Sequence, residues 1–299
     1  MELKTSFKGA VTEIITPFQE DGALDVRLLR NEAEFQVESG IAGLFTNGLA
    51  SECLSLTMEE KVNATEIVCR QVNGRIPVMG NVTGNNYDEC VRLLKEYEKT
   101  GVDAVSLTQP MTYGFTQEGM YRYLSDLIHE ASVPVCIYNA PQTGNVLSPS
   151  TVARLLNEND LVHYYKESTI DLVHIQNTMR LIDAGKDYEF LAGSDASTLP
   201  IAMLGGKGVI SLISAVFPKI IIRLCDEIEA MQMEAARKTQ EEILQIRDAL
   251  KIGPFMAGYK YAAELVGVPM GVVRKPLVGL TEAEKSKIQD NLKNLNLIS

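Results

Sequence analysis

Residues 133–167 read VPVCIYNAPQTGNVLSPSTVARLLNENDLVHYYKE. Two short runs rich in β-branched and aromatic residues, Val133–Asn139 and Leu161–Glu167, flank a stretch with helical spacing. Ser148-Pro149 marks the start of that helix, an N-cap followed by a proline at the first helical position. Both runs are nearly continuous in apolar character rather than strictly alternating, as in strands of a parallel sheet covered by helices on both faces. The segment reads as strand, helix, strand.

The same unit recurs outward in both directions. Upstream lie Ala10–Thr16, Gly43–Asn47, Ile76–Val82 and Ala104–Gln109, and downstream Tyr188–Ala192 and Gly208–Ser214. The intervals have helical spacing and recognisable ends. Leu24–Ser39 runs into Gly40, a C′ glycine, and Tyr87–Thr100 into Gly101. Thr57 and Glu60 have capping-box spacing and open a helix that stops near Asn73-Gly74. Further helices are expected from Thr116 to about Glu130, over Ile170–Ala184 and over Ala196–Leu204. Eight strands alternating with helices predict an α/β fold, a (β/α)8 TIM barrel; a doubly wound open sheet is the rival, since alternation does not prove closure. Beyond Pro218 the strand signal stops. Pro218–Leu250, Pro254–Val266 and Thr281–Leu295 predict a C-terminal helical extension, the first of them supplying the last barrel helix. The expected division is residues 1–217 for the barrel carrying the active site and 218–299 for the last barrel helix and the C-terminal helical region.

The 28 basic and 39 acidic residues leave a net charge of −11, which repels phosphate backbones and argues against nucleic-acid or anionic-membrane partners. Five scattered cysteines without a Cys-x-x-Cys pair fit a reduced, cytoplasmic protein better than a disulfide framework or a zinc site. Met1–Ala10 carries Glu2, Lys4 and Lys8 and lacks the apolar centre of a leader, and no apolar stretch is long enough to span a membrane. His129, His163 and His174 lack metal-ligand spacing, so no metal is expected. Gly205-Gly206-Lys207-Gly208 precedes a strand and reads as a turn at the bottom of the barrel, not a phosphate cradle.

In a barrel, chemistry belongs at the C-terminal ends of the strands. Alternation puts Val162, Tyr164 and Lys166 on one face of the sixth strand. If that face is the interior, an amine stands on top of an apolar core. Burial is then expected to lower its pKa, and the neutral amine can condense with a ketone to a Schiff base. The plainer reading is a lysine reaching solvent or pairing with Glu167. Cys136 and Tyr138 share a face of the neighbouring fifth strand, so the Tyr138 hydroxyl can stand beside Lys166 and pass a proton, unless it is simply a core tyrosine. Small residues after the second strand, in Thr46-Asn47-Gly48-Leu49-Ala50-Ser51-Glu52, leave backbone N–H groups free to hold a carboxylate, unless this is an ordinary loop.

Several ordered motifs at matching spacing carry a resemblance that spans essentially the whole chain. They are Gly9-Ala10-Val11 with Thr16-Pro17-Phe18, Gly74-Arg75-Ile76-Pro77-Val78, Thr116-Gln117-Glu118-Gly119, Tyr138-Asn139-Ala140-Pro141, Tyr165-Lys166-Glu167-Ser168, Ala192-Gly193-Ser194-Asp195 and Gly205–Ser211. Together they resemble the dihydrodipicolinate synthase / N-acetylneuraminate lyase family of class I, pyruvate-handling aldolases. The resemblance implies that Lys166 forms an imine with the keto group of pyruvate and that Tyr138 relays protons. It further implies that Leu49, Ala50 and Ser51, through the strand 2 loop, and Gly193, Asp195 and Ile210 contact substrate. No separate cofactor is implied, and a homo-oligomer, tetramer or dimer, is.

Three segments depart from the family pattern. Leu49 and Ala50 fill the two hydroxyl positions of the strand 2 loop, and Ser51 stands where the family has glycine. In Met111-Thr112-Tyr113, Thr112 falls on the position of the relay tyrosine, with Tyr113 one place off. Pro141-Gln142-Thr143-Gly144 lacks the arginine that helps the synthases bind an acidic second substrate. The imine-forming core is thus kept while the second-substrate machinery changes. The expected function is a Schiff-base class I aldolase or lyase that cleaves or condenses a 2-keto acid, with pyruvate as keto partner. The alternatives are dihydrodipicolinate synthase proper, a 2-keto-acid dehydratase of the same family, and a non-catalytic keto-acid-binding relative.

Overall fold

Each apolar run becomes a strand, and each strand is followed by a helix that returns the chain to the same end of the sheet. The computed structural model describes residues 5–299. Residues 1–4, part of the N-terminal stretch read above as no leader, lie outside the described residues. The strands are β1 (Gly9–Glu13), β2 (Gly43–Thr46), β3 (Val78–Val82), β4 (Ala104–Thr108), β5 (Val135–Asn139), β6 (Val162–Glu167), β7 (Glu189–Ala192) and β8 (Gly208–Ser211). All pair in parallel and in sequence order, and β8 closes on β1 with Val11 opposite Ile210. Closure settles the choice between barrel and open sheet.

The outer ring is α1 (Val26–Ser39), α2 (Met58–Val72), α3 (Tyr87–Thr100), α4 (Gln117–Glu130), α5 (Pro149–Glu158), α6 (Leu172–Leu181), α7 (Thr198–Met203) and α8 (Pro218–Glu229). Beyond it lie α9 (Met233–Leu250), α10 (Ala257–Leu265) and α11 (Glu282–Asn294). The caps are those the sequence announces. Thr57 and Glu60 close a reciprocal capping box on α2, Ser148 accepts from the Thr151 N–H ahead of α5, and Gly40 ends α1 in the left-handed region at φ 83°. Several boundaries differ from expectation, most of all in the C-terminal region. The single helix expected over Pro218–Leu250 breaks between α8 and α9, where Met231 takes φ 57°, so that α9 folds back onto α8. Strands β1 and β8 end earlier than expected, at Glu13 and Ser211, and the residues that follow lead into the loops at the barrel mouth.

Two cores result. One lies between sheet and helices. The other fills the barrel with Phe7, Val11, Phe45, Met79, Cys136, Tyr164, Leu191 and Ile210, all 2% exposed or less. Phe7 plugs the barrel from below, edge-on to Tyr164 at 5.2 Å between ring centroids. The C-terminal region braces the opposite end. Lys260 of α10 donates to the carbonyls of Thr16 (2.9 Å) and Val272 (2.6 Å) and pairs with Glu52 beyond β2 (2.8 Å). The Arg274 N–H donates to Glu52 (2.9 Å), and its guanidinium holds Glu60 at the start of α2 (2.7 Å).

Beside this brace Glu32 is completely buried on α1, with one oxygen accepting the Ile15 N–H (2.8 Å) and the other unpartnered. Burial pushes its carboxyl up to about 8, against the pull of the Ile15 N–H and the Lys260 ammonium. A carboxyl raised in the folded state contributes stability that is whole below its unfolded value of 4.5 and is lost as pH rises towards 8. Glu32→Gln therefore leaves stability near pH 4.5 almost unchanged and raises it above pH 8, by on the order of 4 kcal/mol at most. Urea unfolding of both proteins from pH 5 to pH 9 checks this; parallel curves refute it.

Candidate active site

Strand β6 delivers Lys166 into the barrel mouth. Its side chain shares the interior face with Tyr164, and it is 0% exposed. Register places it beside Tyr138 of β5 on one side and Leu191 of β7 on the other. The amine sits 4.0 Å from the centre of the Phe45 ring and 4.0 Å from that of Tyr138. The two residues singled out from sequence for imine formation and proton transfer are therefore adjacent. Glu167, the partner in the plainer reading, faces the other way. It is buried among Tyr165, Asn139 (3.1 Å) and the Thr169 N–H (2.6 Å).

The partner of Lys166 is instead Glu13, the last residue of β1. Its Oε2 lies 3.2 Å from Lys166 Nζ, and its Oε1 accepts the Ala50 N–H at 3.0 Å. This overturns the expected direction of the amine's pKa. Burial, the largest single influence, pushes it down, but the Glu13 carboxylate and the Tyr138 phenol outweigh it and the net shift is upward. Two aromatic faces around an ammonium act in the same direction, by about 2 kcal/mol when water is excluded. At rest the surroundings of Lys166 favour its ammonium form. Glu13 was missed in the sequence although the signal was there. A carboxylate two residues beyond Val11, in a strand read as buried on both faces, has to point into the barrel.

Room for Glu13 comes from Gly48. A Cβ there would stand 2.1 Å from Glu13 Oε1 and 2.8 Å from the Phe45 ring. The strand 2 loop folds as two short 3-10 turns around Glu52, which takes φ 60°. Ser51, the one hydroxyl left in this stretch and standing where the family has glycine, donates back to the Gly48 carbonyl at 2.7 Å and closes the turn. Leu49 packs onto the apolar barrel filling that includes Ile210. Ala50 contributes its N–H, which the protein's own carboxylate occupies.

On the far side, Gly193 follows β7 where a Cβ would lie 2.2 Å from Ser168 Oγ, and its carbonyl accepts from that hydroxyl at 3.1 Å. Asp195, expected to face incoming substrate, is buried. Its oxygens accept from the Ser211 hydroxyl and from the N–H groups of Leu212 (3.3 Å) and Ile213 (3.4 Å), which ties the β7 loop to β8. The strand 4 loop supplies no relay phenol. Thr112 is exposed at φ 73°, and Tyr113 is 69% exposed against Phe115. Pro141–Thr143 forms a 3-10 turn that carries no cation.

Burial raises the Tyr138 phenol, with the Lys166 ammonium pulling the other way, so it remains a proton donor at neutral pH. Burial pushes the Cys136 thiol, beneath Tyr138 on the same face, up to about 12, which removes it as a competing nucleophile. Lys166 is thus the nucleophile this geometry offers.

The chain matches the dihydrodipicolinate synthetase family over residues 6–295. It belongs to that family. A 4-hydroxy-tetrahydrodipicolinate synthase of Syntrophus aciditrophicus is 36% identical over 293 residues, covering 98% of this chain and 99% of the relative. One from Bacillus subtilis is 33% identical, covering 97% and 100%. Among solved structures, dihydrodipicolinate synthase from Aquifex aeolicus superposes with a TM-score of 0.92 at 29% identity, covering 98% of this chain and 99% of that one. YagE, a prophage protein of the family from E. coli K12 solved in complex with pyruvate, gives 0.92 at 25% identity, covering 97% and 99%. Dihydrodipicolinate synthetase family members are pyruvate-dependent class I aldolases, and this chain is an enzyme of that lyase class.

The contact between Gly48 and Glu13 generates a prediction. Gly48→Ala forces the Glu13 carboxylate off the Ala50 N–H and costs about 1–3 kcal/mol of stability. In a Glu13→Ala background most of that cost disappears. A double-mutant cycle in urea measures the coupling, and additive effects would show that the two residues do not compete for this space.

Proposed function

We propose that this protein forms an imine between Lys166 and the keto group of pyruvate, or of a larger 2-keto acid that releases pyruvate, and that its aldol partner is not the one used by dihydrodipicolinate synthase proper. The observation that carries this reading is the Lys166 amine, wholly buried at the C-terminal end of β6 against the faces of Tyr138 and Phe45. A protonated imine there draws electrons from the neighbouring carbon. That permits loss of a proton to an enamine, or cleavage of the next carbon–carbon bond. Tyr138 is within reach to relay a proton from nitrogen to the carbonyl oxygen as the carbon–nitrogen bond forms.

The different second substrate is supported by the same three segments. Leu49 and Ala50 offer no hydroxyl, the strand 4 loop offers Thr112 and an outward Tyr113, and the turn after β5 carries no arginine. We read Leu49, Ala50, Ser51, Gly193, Asp195 and Ile210 as the rim of the substrate site. Leu49 and Ile210 contribute apolar surface, and Gly193 and Asp195 act through the placement of their loops. The reaction needs no cofactor beyond the covalent imine. The division into a barrel (1–217) and a helical region (218–299) follows the change from strand–helix alternation to helices alone.

A homo-oligomer, tetramer or dimer, is supported by the exposed Ile170, Leu172 and Val173 at the start of α6. A cytoplasmic setting is supported by five free cysteines. No helix among the described residues is long and apolar enough to cross a membrane.

Borohydride reduction in the presence of pyruvate tests the reading. Peptide mass analysis is expected to find the pyruvyl adduct on the peptide containing Lys166, and none in Lys166→Ala. An unmodified Lys166 in the wild-type protein, under conditions that label a family enzyme, ends it. Tyr138→Phe is expected to lower turnover by about 10²-fold or more while changing substrate affinity little, because the hydroxyl acts in proton transfer. Equal losses in kcat and in affinity would make the phenol a positioning group instead.

A further inference from the structure

Two lysine–carboxylate pairs are buried in this barrel, and they differ in kind. Lys260 donates to the Thr16 and Val272 carbonyls and pairs with the Glu52 carboxylate, and so holds loops together. Lys166 meets one carboxylate and two aromatic faces. Glu13 places one oxygen on the Ala50 N–H and the other on Lys166 Nζ. Burying an ion pair is costly, and an apolar pair of similar volume would serve folding as well or better. Beyond the Ala50 N–H of the strand 2 loop, the pair holds no other loop among the described residues. It stands at the end of the barrel where the chemistry sits, on the atom that becomes the imine nitrogen.

We propose that Glu13 is the general acid–base of the Lys166 imine chemistry, taking the place of a hydroxyl relay for which this chain has neither the loop hydroxyls nor an inward strand 4 tyrosine. This rests on the reading of Lys166 as the imine-forming residue. Glu13 first accepts a proton from the ammonium and frees the amine. The amine's lone pair forms the C–N bond to the keto carbon, the carbonyl electron pair moves onto oxygen, and the nitrogen's proton is passed to that oxygen. Glu13, now a carboxylic acid, gives its proton to the resulting hydroxyl, which leaves as water while the nitrogen lone pair closes the C=N⁺ bond. The balance is one ammonium and one ketone in, one protonated imine and one water out, with Glu13 again a carboxylate. From there it can take the proton from the carbon next to the imine, or from the hydroxyl of a longer substrate as the carbon–carbon bond breaks, and it returns that proton to the enamine carbon. The distance of 3.2 Å from Oε2 to Nζ is within direct proton-transfer range of the amine.

A substrate carboxylate that approaches the same loop competes with Glu13 for the Ala50 N–H. Removing the charge at position 13 is therefore expected to slow chemistry without weakening binding, the reverse of what loss of a structural pair would do. The test is rapid-quench borohydride trapping at varied pyruvate concentration, on the wild-type protein and on Glu13→Gln. The expected result is a maximal trapping rate lowered about 10²-fold or more, with half-saturation by pyruvate unchanged or at lower concentration. For Glu13→Ala, added formate is expected to restore at least about tenfold of the lost rate by supplying a carboxylate in the vacated space. Trapping by Glu13→Gln at the wild-type rate overturns the proposal. So does a loss in Glu13→Ala that formate does not restore together with weaker half-saturation in Glu13→Gln, which would make the pair structural. Should Glu13→Gln not fold, Glu13→Asp decides: a carboxylate one methylene shorter is expected to keep the fold and trap at least about tenfold more slowly, and an unchanged rate overturns the proposal. A wild-type protein that traps no adduct on Lys166 is a separate outcome and removes the functional reading itself.

Discussion

A charged amine inside an apolar barrel is the constraint around which the rest of this molecule is arranged. Lys166 cannot reach solvent from its place on β6, and the residues below it, Tyr164, Phe7, Leu191 and Ile210, offer no counter-charge. An isolated ammonium there would shed its proton or unfold the barrel mouth. Glu13 meets the need from β1, and meeting it sets further requirements. The carboxylate needs a hydrogen bond for its second oxygen, which the Ala50 N–H supplies, and it needs space, which only a glycine at position 48 leaves. The loop that provides both must then be held. Glu52, in a left-handed conformation at the loop's end, is anchored by Lys260 and by the Arg274 N–H. The helices beyond the barrel thus belong to the site through a continuous line of contacts that ends at the reactive nitrogen.

This gives the C-terminal region a role that its position in the chain does not announce. It adds no strand and closes no part of the barrel. Its contribution is that of a clamp on the loops after β1 and β2, with Lys260 on the Thr16 carbonyl and Arg274 on the Ser55 and Gly22 carbonyls as well as on Glu60. On the other side α9 does the same for β7, because Gln240 donates to the Asp195 carbonyl and accepts the Leu199 N–H. Loops that carry chemistry need such fixing, since an amine or carboxylate displaced by an ångström loses most of its effect.

Much of the fold was readable because the barrel repeats a simple unit with strong punctuation. Caps at Thr57, Ser148 and Gly40, and apolar runs of strand length, carry local information that tertiary contacts do not override. Lys166 and Tyr138 were readable for a related reason: alternation along a strand fixes which side chains share the interior once closure is assumed. What could not be read is what depends on pairing across the barrel. Glu13 and Lys166 are 153 positions apart and meet only because β1 closes the sheet. The electrostatic state of the amine follows from that meeting, which is why an expectation built from burial alone had the wrong sign. Tyr113 illustrates the same limit at a loop: its distance from the aligned position was visible, but its turning outward against Phe115 was decided by loop geometry. The break at Met231 was obscured because residues 218–250 keep a helical pattern on both sides of it.

The resting ion pair and the need for a free amine are reconciled by what surrounds them. In a dry site an ammonium–carboxylate pair and its neutral counterpart, amine and carboxylic acid, lie much closer in free energy than in water, since only the charged pair loses by desolvation. The groups that favour the charged form here are few and identifiable: the Ala50 N–H on Glu13 and the two aromatic faces on Lys166. A carboxylate-bearing substrate that takes the Ala50 N–H removes the first of these and brings a second negative charge to a site that already holds one. Both changes weaken the charged pair, whose partners lie 3.2 Å apart. On the proposed mechanism, substrate entry generates the nucleophile from a pair that is otherwise inert, and the amine is freed only when an acceptor for it is already in place.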